Sequence, residues 1–423
     1  MSCRIAFVTL GCKLNYSESS TLSRQFAQEG WSIVRPIDEA DVYVVNSCSV
    51  TEHADKKCRN IVRKLHKISP SALIAVTGCY AQLKPQEILS IEGVDLVAGA
   101  QDKGRLVQLV SEAMENRAKA AFCCPTNDIS SIFPAYSSGE RTRSFLKVQD
   151  GCDYYCSYCT VPFARGHSRN IPIATLVGQA REIAAQGIRE IVLTGVNIGD
   201  YGKTTGESFL DLLKALDAVE GVERYRISSI EPNLLTDEII RWIASGTKFL
   251  PHFHIPIQSG CDRTLKEMHR RYTTEMFEAK IASIRDAMES EEERFTRVFI
   301  GIDVIVGFPG ESDEDFEHTC RLLERIRPAF LHIFPYSRRA GTLAASRPDQ
   351  VQDSVKTARV ERLEALCERL HSEFCAANVG RSAKVLFEST EKGGMMSGFT
   401  ENYIKVSRPY DSGLIGKTVE VTI

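Results

Sequence analysis

The amino-acid sequence predicts an α/β protein built from three domains, with a short linker after the first. Its 423 residues are too many for one ordinary hydrophobic core. Apolar runs of strand length alternate with helical periodicity over residues 1–120 and again over residues 143–377, which is typical of parallel sheets covered by helices. From residue 378 to residue 423, short strand patterns alternate with glycine-rich turns. The predicted fold class is therefore α/β, with a parallel-sheet α/β domain, a partial (β/α)6 barrel and a small antiparallel β-barrel in that order.

The first domain, residues 1–120, is predicted from four apolar runs separated by helical patterns. The strands are expected at residues 5–10, 42–45, 73–76 and 95–97, and the helices at residues 17–29, 52–66 and 103–118. Residues 121–142 lose this periodicity and gain proline, serine and glycine, so they are predicted to form a linker. In a parallel sheet flanked by helices, ligands bind beyond the carboxyl ends of the strands.

Six further strand patterns in residues 143–377 predict the partial barrel. They are expected at residues 145–148, 190–194, 225–228, 253–257, 298–306 and 330–334, and a helix at residues 353–376 ends the series. Active sites of such barrels lie on the loops after the strands. In the last domain, residues 378–423, strands are expected at residues 383–388, 395–399, 403–406 and 418–422. Small barrels of this kind commonly bind oligonucleotides.

Composition restricts the class of protein. Hydrophobic residues make up 43% of the chain and charged residues 25%, as in ordinary globular domains. No apolar run approaches the roughly 20 residues that span a bilayer, and the N-terminus lacks a signal-peptide pattern, so we expect a cytoplasmic protein without membrane association. Fourteen cysteines in a reducing compartment indicate metal or redox chemistry rather than disulfides. A net charge of -3 means that RNA binding would need local basic patches.

The most specific motif is formed by Cys152, Cys156 and Cys159, directly after the first strand of the central series. The spacing Cys-x3-Cys-x2-Cys puts three thiols within eight residues of one loop. Thiolates suit iron–sulfur clusters, and three of them leave one iron of a four-iron cluster without a protein ligand. That open iron can chelate the amino and carboxylate groups of S-adenosylmethionine. The alternative is a structural zinc site, which needs a fourth ligand, and His167 is the only local candidate.

Cys12, Cys48 and Cys79 lie just past the first three predicted strands of the first domain. The carboxyl ends of parallel strands meet at one edge of a sheet, so these thiols are expected to converge. A single buried cysteine is more often a small hydrophobic residue than a ligand. Three cysteines at equivalent strand ends, two of them preceded by glycine, favour a second three-thiol site. The other eight cysteines have no partner at ligand spacing.

The central motif resembles the signature of the radical S-adenosylmethionine superfamily. The resemblance implies that the aromatic ring of Tyr158, before the last cysteine, lies against the adenine of S-adenosylmethionine. It implies that Gly195 and Asn197, after the second barrel strand, meet the methionine amino group. Ser229 and Gln258, after later strands, would face the same cofactor. Each of these residues could instead pack or cap a strand end.

A three-cysteine domain, a radical domain and a small terminal barrel together resemble the methylthiotransferases, over essentially the whole chain. The matching segments include Pro-Ile-Gln-Ser-Gly at residues 256–260 and Gly-Phe-Pro-Gly-Glu at residues 307–311. The resemblance implies two 4Fe-4S clusters. The one at Cys152, Cys156 and Cys159 would cleave S-adenosylmethionine to a 5′-deoxyadenosyl radical. The other, at the three cysteines of the first domain, would deliver sulfur that another S-adenosylmethionine has methylated. The terminal barrel resembles a TRAM domain, a module associated with RNA.

Two short segments favour one type within that family. Residues 11–15 and 49–51 resemble the MtaB type, which adds a methylthio group to C2 of N6-threonylcarbamoyladenosine next to the tRNA anticodon. The same chemistry on isopentenyladenosine tRNA (MiaB type) or on a ribosomal-protein aspartate (RimO type) remains an alternative. A non-catalytic protein that binds zinc and RNA is the alternative of a different class. For the enzyme we expect a monomer served by a flavodoxin- or ferredoxin-like electron donor, while the sequence does not indicate the sulfur source.

Contacts to a tRNA anticodon stem-loop are expected from local basic patches, which supply phosphate contacts. Lys56, Lys57 and Arg59 begin a run of six basic residues within twelve residues of a predicted helix, which could equally be a solvated face. Further candidates near the linker end and the cluster loops are Arg141, Arg165 and Arg270. Tyr403, in the last domain, is expected either to stack on a base or to fill the core of the small barrel.

Overall fold

The computed structural model describes residues 3–116, 118–139 and 142–423. Its first domain is a six-stranded parallel sheet in the order β2-β1-β3-β4-β5-β6. The strands are β1 (Arg4–Thr9), β2 (Ser32–Val34), β3 (Val42–Ser47), β4 (Leu73–Gly78), β5 (Val94–Ala98) and β6 (Ala120–Phe122). The helices are α1 (Lys13–Gln28), α2 (Glu52–Ile68), α3 (Cys79–Leu83), α4 (Pro85–Leu89) and α5 (Leu106–Asn116).

The four predicted strands and three predicted helices of this domain are present, and two edge strands were not predicted. Both β2 and β6 have only three residues, too few to show an alternating pattern. Strand β6 pairs with β5 and so carries the sheet into the residues expected to form the linker. The central strands β3 and β4 are buried along their whole length, because helices cover both faces of the sheet.

The central region contains six parallel strands in two sheets of three, ordered β11-β10-β7 and β12-β13-β14. Isolated parallel bridges, Tyr225 to Phe249 and Ser229 to His254, join the two sheets. The strands, including a short antiparallel pair, are β7 (Arg143–Lys147), β8 (Gln149–Asp150), β9 (Arg169–Asn170), β10 (Glu190–Thr194), β11 (Arg224–Ile227), β12 (His252–His254), β13 (Phe299–Val306) and β14 (Phe330–Pro335).

At least one helix follows each of the six parallel strands, so the predicted strand–helix alternation is present. The helices of this region are α6 (Val161–Arg165), α7 (Ile173–Ala185), α8 (Phe209–Asp217), α9 (Asp237–Ala244), α10 (Asp262–Glu267), α11 (Thr274–Met288), α12 (Asp313–Ile326), α13 (Leu343–Ser346) and α14 (Asp353–Ala376). Short 3-10 helices lie at Lys103–Arg105, Thr126–Asp128, Ile198–Asp200 and Ser412–Leu414. Within the described ranges, no helix is both long enough and apolar enough to cross a bilayer.

The last domain is a four-stranded antiparallel sheet in the order β17-β16-β15-β18. Its strands are β15 (Ser382–Lys392), β16 (Met395–Phe399), β17 (Lys405–Pro409) and β18 (Thr418–Thr422). The third strand begins two residues later than predicted, because Tyr403 has a positive φ of 65° and belongs to the turn before it. Val385, Phe387 and Met396 form a small core of its own.

Buried arginines dock this sheet onto the central region. Arg226 donates hydrogen bonds to the carbonyls of Glu401 (2.9 Å) and Thr400 (2.8 Å). Arg224, two residues before it on β11, reaches other carbonyls of the terminal sheet. Both guanidinium groups pair with Glu190, which has no solvent exposure. Breaking such a pair would leave a buried charge uncompensated, so the domain is held in a defined orientation.

Candidate active site

The loop between β8 and β9 carries Cys152, Cys156 and Cys159. The antiparallel pairing of these two strands closes the loop at its base, and the Cys159 amide donates to the Cys156 carbonyl within it (3.0 Å). Burial raises the pKa of Cys152 and of Cys159 to about 12. Burial also raises the pKa of Cys156, although Arg270 opposes it. Thiols in such surroundings become thiolates only when positive charge compensates them, as a bound metal does.

Arg270 supplies positive charge next to this loop. Its Nη1 lies 3.0 Å from the Sγ of Cys156, its Nε donates to the hydroxyl of Tyr272 (2.9 Å), and it pairs with Glu231. Only 3% of its side chain is exposed. The expectation that Arg270 contacts RNA phosphate is therefore corrected, because its donors are used inside the protein. The local sequence shows a basic residue here but not the cysteine that it faces.

We expect Arg270→Gln to weaken iron binding at Cys152, Cys156 and Cys159. Partners of metal ligands typically contribute about 10–100-fold to metal affinity or activity. The variant should lose iron to a chelator correspondingly faster than the unchanged protein. Arg241→Gln, at an exposed position on α9, is the matched control and should retain iron normally. Equal retention by Arg270→Gln would show that the guanidinium does not support the loop.

A cavity of 630 Å³ opens beside Cys159. Tyr158, Gln258, Asp303 and Ile305 contribute to its walls. Tyr158 also packs against the apolar cluster that includes Ile305. A cavity of this size fits a nucleoside-sized ligand. Two of the five residues expected at S-adenosylmethionine, Tyr158 and Gln258, therefore share one cavity.

The other three expected cofactor residues lie at strand ends nearby. Gly195 and Asn197 belong to the loop after β10, which Gln149 holds by accepting hydrogen bonds from the amides of Val196 (2.9 Å) and Asn197 (2.8 Å). Asn197 is 3% exposed, and neither its side-chain oxygen nor its nitrogen has a partner among the described residues. Buried polar groups are nearly always paired, so this amide fits a bound polar group. Ser229 bridges to β12 through its backbone where the two sheets meet.

Cys12, Cys48 and Cys79 follow β1, β3 and β4, which are neighbours in the sheet. They meet at its carboxyl edge, where the strand order reverses, the usual ligand position in this architecture. Cys12 is exposed, while Cys48 and Cys79 are 7% and 8% exposed. Burial raises the pKa of Cys48 to about 11 and also raises that of Cys79. Three thiols at one edge of the sheet are a donor set that suits an iron–sulfur cluster.

The glycines before Cys12 and Cys79 permit this close approach. Gly11 and Gly78 have φ values of 94° and 95°, which favour glycine. A Cβ atom on Gly11 would lie 2.7 Å from the Cβ of Cys48, and one on Gly78 would lie 2.3 Å from the carbonyl oxygen of Ser47. Any larger side chain would force the cysteine loops apart.

Arg165 belongs to this first thiol site rather than to an RNA surface. It is 4% exposed, its Nε lies 3.4 Å from the Sγ of Cys79, and its Nη2 donates to the side chain of Asn15 (2.6 Å). Its Nη1 pairs with Glu18 (3.1 Å) and with Asp150 (2.9 Å). The expected phosphate contact is corrected for the same reason as at Arg270, because no donor faces solvent. Arg165 comes from the central region and so ties it to the first domain.

A second cavity, of 680 Å³, has walls from all three domains. Cys12 and Lys13 line it from the first domain, and Tyr403 lines it from the last. His254 lines it from the central region, and its Nε2 lies 2.7 Å from a carboxylate oxygen of Asp303, a wall residue of the cavity beside Cys159. The two cavities, each bordered by one three-thiol site, therefore adjoin at this His–Asp pair.

The remaining RNA candidates differ in position. Lys56 and Lys57 are exposed on α2, as a solvated face would be, whereas Arg59 is half-buried and donates to the hydroxyl of Tyr80 (2.7 Å). Tyr403 stacks on Phe399 with ring centroids 4.7 Å apart and also packs against the central region. Arg141 lies outside the described residues.

Comparison with known proteins identifies the family. Residues 4–99 match the Uncharacterized protein family UPF0004, and residues 146–323 match the Radical SAM superfamily. The chain is 39% identical to Threonylcarbamoyladenosine tRNA methylthiotransferase MtaB of Bacillus subtilis, over 99% of this chain and 93% of the relative. It is 36% identical to the protein of the same name from Aquifex aeolicus, over 99% of this chain and 100% of the relative. The chain belongs to the radical S-adenosylmethionine methylthiotransferase family.

This family includes enzymes named for another nucleoside. The tRNA-2-methylthio-N(6)-dimethylallyladenosine synthase of Geobacter metallireducens is 34% identical, over 98% of this chain and 94% of the relative. Among solved structures, the radical S-adenosylmethionine methyltransferase TsrM of Kitasatospora setae has a TM-score of 0.60 at 14% identity, covering 93% of this chain and 79% of that chain, and shares the fold alone. Membership makes the chain an enzyme, so the alternative of a non-catalytic zinc protein is wrong.

Proposed function

We propose that this enzyme adds a methylthio group to C2 of N6-threonylcarbamoyladenosine beside the anticodon of tRNA. The observation that carries the proposal is the cavity shared by three domains, which Cys12 borders and which adjoins the cavity beside Cys159. A substrate carbon placed there is within reach of both three-thiol sites. The two MtaB relatives above are more similar to the chain than the isopentenyl-type relative is, which favours this nucleoside.

Two 4Fe-4S clusters fit the two sets of thiols. When bound, they supply electron transfer to S-adenosylmethionine at Cys152, Cys156 and Cys159, and sulfur for the product at Cys12, Cys48 and Cys79. Arg270 and Arg165 compensate thiolate charge at the two sites. Asn197 offers its unpaired amide to the methionine end of the cofactor, with Gly195 keeping that loop close. Tyr158 and Gln258 face the nucleoside end of the cofactor. Ser229 lies where the two sheets of the central region meet.

The finer assignments of fold and partner belong to the same proposal. We assign the six parallel strands to a partial (β/α)6 barrel spanning residues 143–377 and the terminal sheet, residues 378–423, to a TRAM-like RNA-binding domain. Lys56 and Lys57 would meet phosphates of the anticodon stem-loop, and Tyr403 would contact the substrate base from the cavity wall. Arg59 would contribute less to RNA binding, because it donates to the hydroxyl of Tyr80 and pairs with Glu87. The enzyme would act as a monomer in the cytoplasm with a flavodoxin- or ferredoxin-like electron donor.

Mass spectrometry of tRNA nucleosides tests the proposal. In cells that lack this gene we expect 2-methylthio-N6-threonylcarbamoyladenosine to disappear and its unmethylthiolated precursor to accumulate. Returning the gene should restore the product, and a Cys12→Ala gene should not. Unchanged levels of this nucleoside would refute the assignment, and loss of the isopentenyl derivative instead would assign the chain to the other nucleoside.

A further inference from the structure

The cavity beside Cys12 contains a lysine without a counter-ion. Lys13 directly follows Cys12, begins α1, and lines the 680 Å³ cavity with its side chain. In the part of the chain that the structure describes, no group forms an ion pair or hydrogen bond with its ammonium. The described residues that line this cavity also include no aspartate and no glutamate.

The two arginines that line this cavity are already paired. Arg143 pairs with Glu388 (2.8 Å), and Arg226 pairs with Glu190 (3.0 Å). Lys13 differs from them because its side chain is exposed to the open cavity and has no such partner among the described residues. An ammonium that faces a cavity without a carboxylate attracts an anionic ligand.

The position of Lys13 at the start of its helix also favours an anion. The amino end of a helix carries partial positive charge, so acidic residues are favoured there and a lysine is not. The first turn of α1 contains no acidic residue, and its N-cap, Cys12, provides no capping side-chain hydrogen bond. Both the helix end and the ammonium therefore favour a negatively charged ligand at the point where Cys12 enters the cavity.

The shape and lining of the cavity indicate which kind of anion would bind there. Aromatic residues such as Phe145, Phe330 and Tyr403 form much of the wall, which suits a flat base rather than a sugar–phosphate backbone. The N6 group of the proposed substrate ends in the α-carboxylate of its threonyl group, whereas the isopentenyl group is neutral and apolar. A carboxylate attached to the base can enter this cavity together with the base, whereas a backbone phosphate stays outside it.

We propose that Lys13 binds the carboxylate of the threonyl group, and that this ion pair selects N6-threonylcarbamoyladenosine over nucleosides with a neutral N6 group. The inference rests on the proposed function and adds the residue that determines its specificity. Lys13 holds the N6 substituent next to Cys12, so the same contact orients the adenine ring for transfer of sulfur to C2.

The test compares two anticodon stem-loop RNAs with the reconstituted holoenzyme. One carries N6-threonylcarbamoyladenosine, and the other carries its neutral methyl amide. We expect the unchanged enzyme to prefer the carboxylate by about 5-fold in kcat/KM, since an ion pair that is open to solvent has an effect of this order. Lys13→Gln should bring this ratio close to one, and Lys13→Arg should keep a clear preference. Lys214→Gln, at an exposed position on α8, should keep the full preference.

The ratio is independent of how much of a preparation is folded, because both RNAs meet the same enzyme. If Lys13→Gln prefers the carboxylate as strongly as the unchanged enzyme does, the role of Lys13 is refuted but the proposed function is not. The same conclusion follows if the unchanged enzyme uses both RNAs equally well. If the unchanged enzyme modifies neither RNA and instead modifies an isopentenyladenosine RNA, the proposed function fails and this inference fails with it.

Discussion

Cys152→Ala is expected to abolish the formation of 5′-deoxyadenosine from S-adenosylmethionine and to leave the other three-thiol site able to bind iron. Two ligands remain at the radical site, too few to hold a four-iron cluster with one open iron. Iron content after anaerobic reconstitution should fall from about eight atoms per chain to about four, since each cluster of this type contains four irons. Iron analysis and chromatography of the nucleoside product measure the two effects.

Cys12→Ala should give the complementary result. It should also lose about four irons per chain, but it should still cleave S-adenosylmethionine while forming no methylthio product. Cys3→Ala is the matched control, because Cys3 is exposed and precedes β1, whereas Cys12 follows that strand at the opposite edge of the sheet. Continued cleavage by Cys152→Ala would contradict the assignment of the radical site. Loss of cleavage in Cys12→Ala would contradict the separation of the two sites.

The positions of the six cysteines that we propose as cluster ligands could be predicted because they depend on simple rules. Parallel strands end at one edge of a sheet, so cysteines after successive strands must converge, and the structure places Cys12, Cys48 and Cys79 there. The glycines before Cys12 and Cys79 could also be interpreted from the sequence, because a close approach of two loops leaves no room for a side chain.

The residues that support the two sites could not be predicted from local patterns. Arg165 and Arg270 look in sequence like any basic residue near a loop, and only the fold shows that each one faces a cysteine. Gln149, which holds the loop of Asn197, was missed for the same reason.

Two sequence signals could have identified the buried charges between the first two domains. Glu18 is four residues from Leu14 and four from Leu22 on α1, and both leucines are buried, so the carboxylate lies on the buried face of the helix. Lys147 ends β7 and stands between two buried apolar residues, Leu146 and Val148. A charge in either position implies a buried partner, although its identity depends on the tertiary fold.

Glu18→Ala is expected to lower the free energy of unfolding by about 3–5 kcal/mol, the usual effect of removing one partner from a buried ion pair. Glu18 is 1% exposed and pairs with Lys147 (2.8 Å), with Arg165 (3.1 Å) and with Lys103. Its loss leaves Lys147 and Arg165 with Asp150 as their carboxylate, and it leaves Lys103 without an ion-pair partner among the described residues. Urea denaturation measures the change. Glu115→Ala, at an exposed position on α5, is the control and should stay within about 0.5 kcal/mol.

The pH dependence of this difference has a definite sign. Burial alone would raise the pKa of Glu18, but Arg165, Lys103 and Lys147 outweigh it and hold the pKa well below its ordinary value. A carboxyl with a depressed pKa stabilises the fold above its unfolded-state pKa of about 4.3, and this stability is lost as pH falls below that value. The difference between the unchanged protein and Glu18→Ala should therefore be constant near neutrality and shrink below about pH 4. A difference that instead grows on acidification would contradict the ion-pair account.

The same substitution should affect catalysis in a way that a general loss of stability would not. Glu18 and Lys103 belong to the first domain, whereas Lys147 and Arg165 belong to the central region, so the carboxylate connects these two parts of the chain. Without it, Arg165 loses a partner that holds it against Cys79. We expect Glu18→Ala, assayed at a temperature where it remains folded, to form less methylthio product per 5′-deoxyadenosine released than the unchanged enzyme. An unchanged ratio would mean that Glu18 stabilises the domain interface without aligning the two sites, because instability alone lowers both products together.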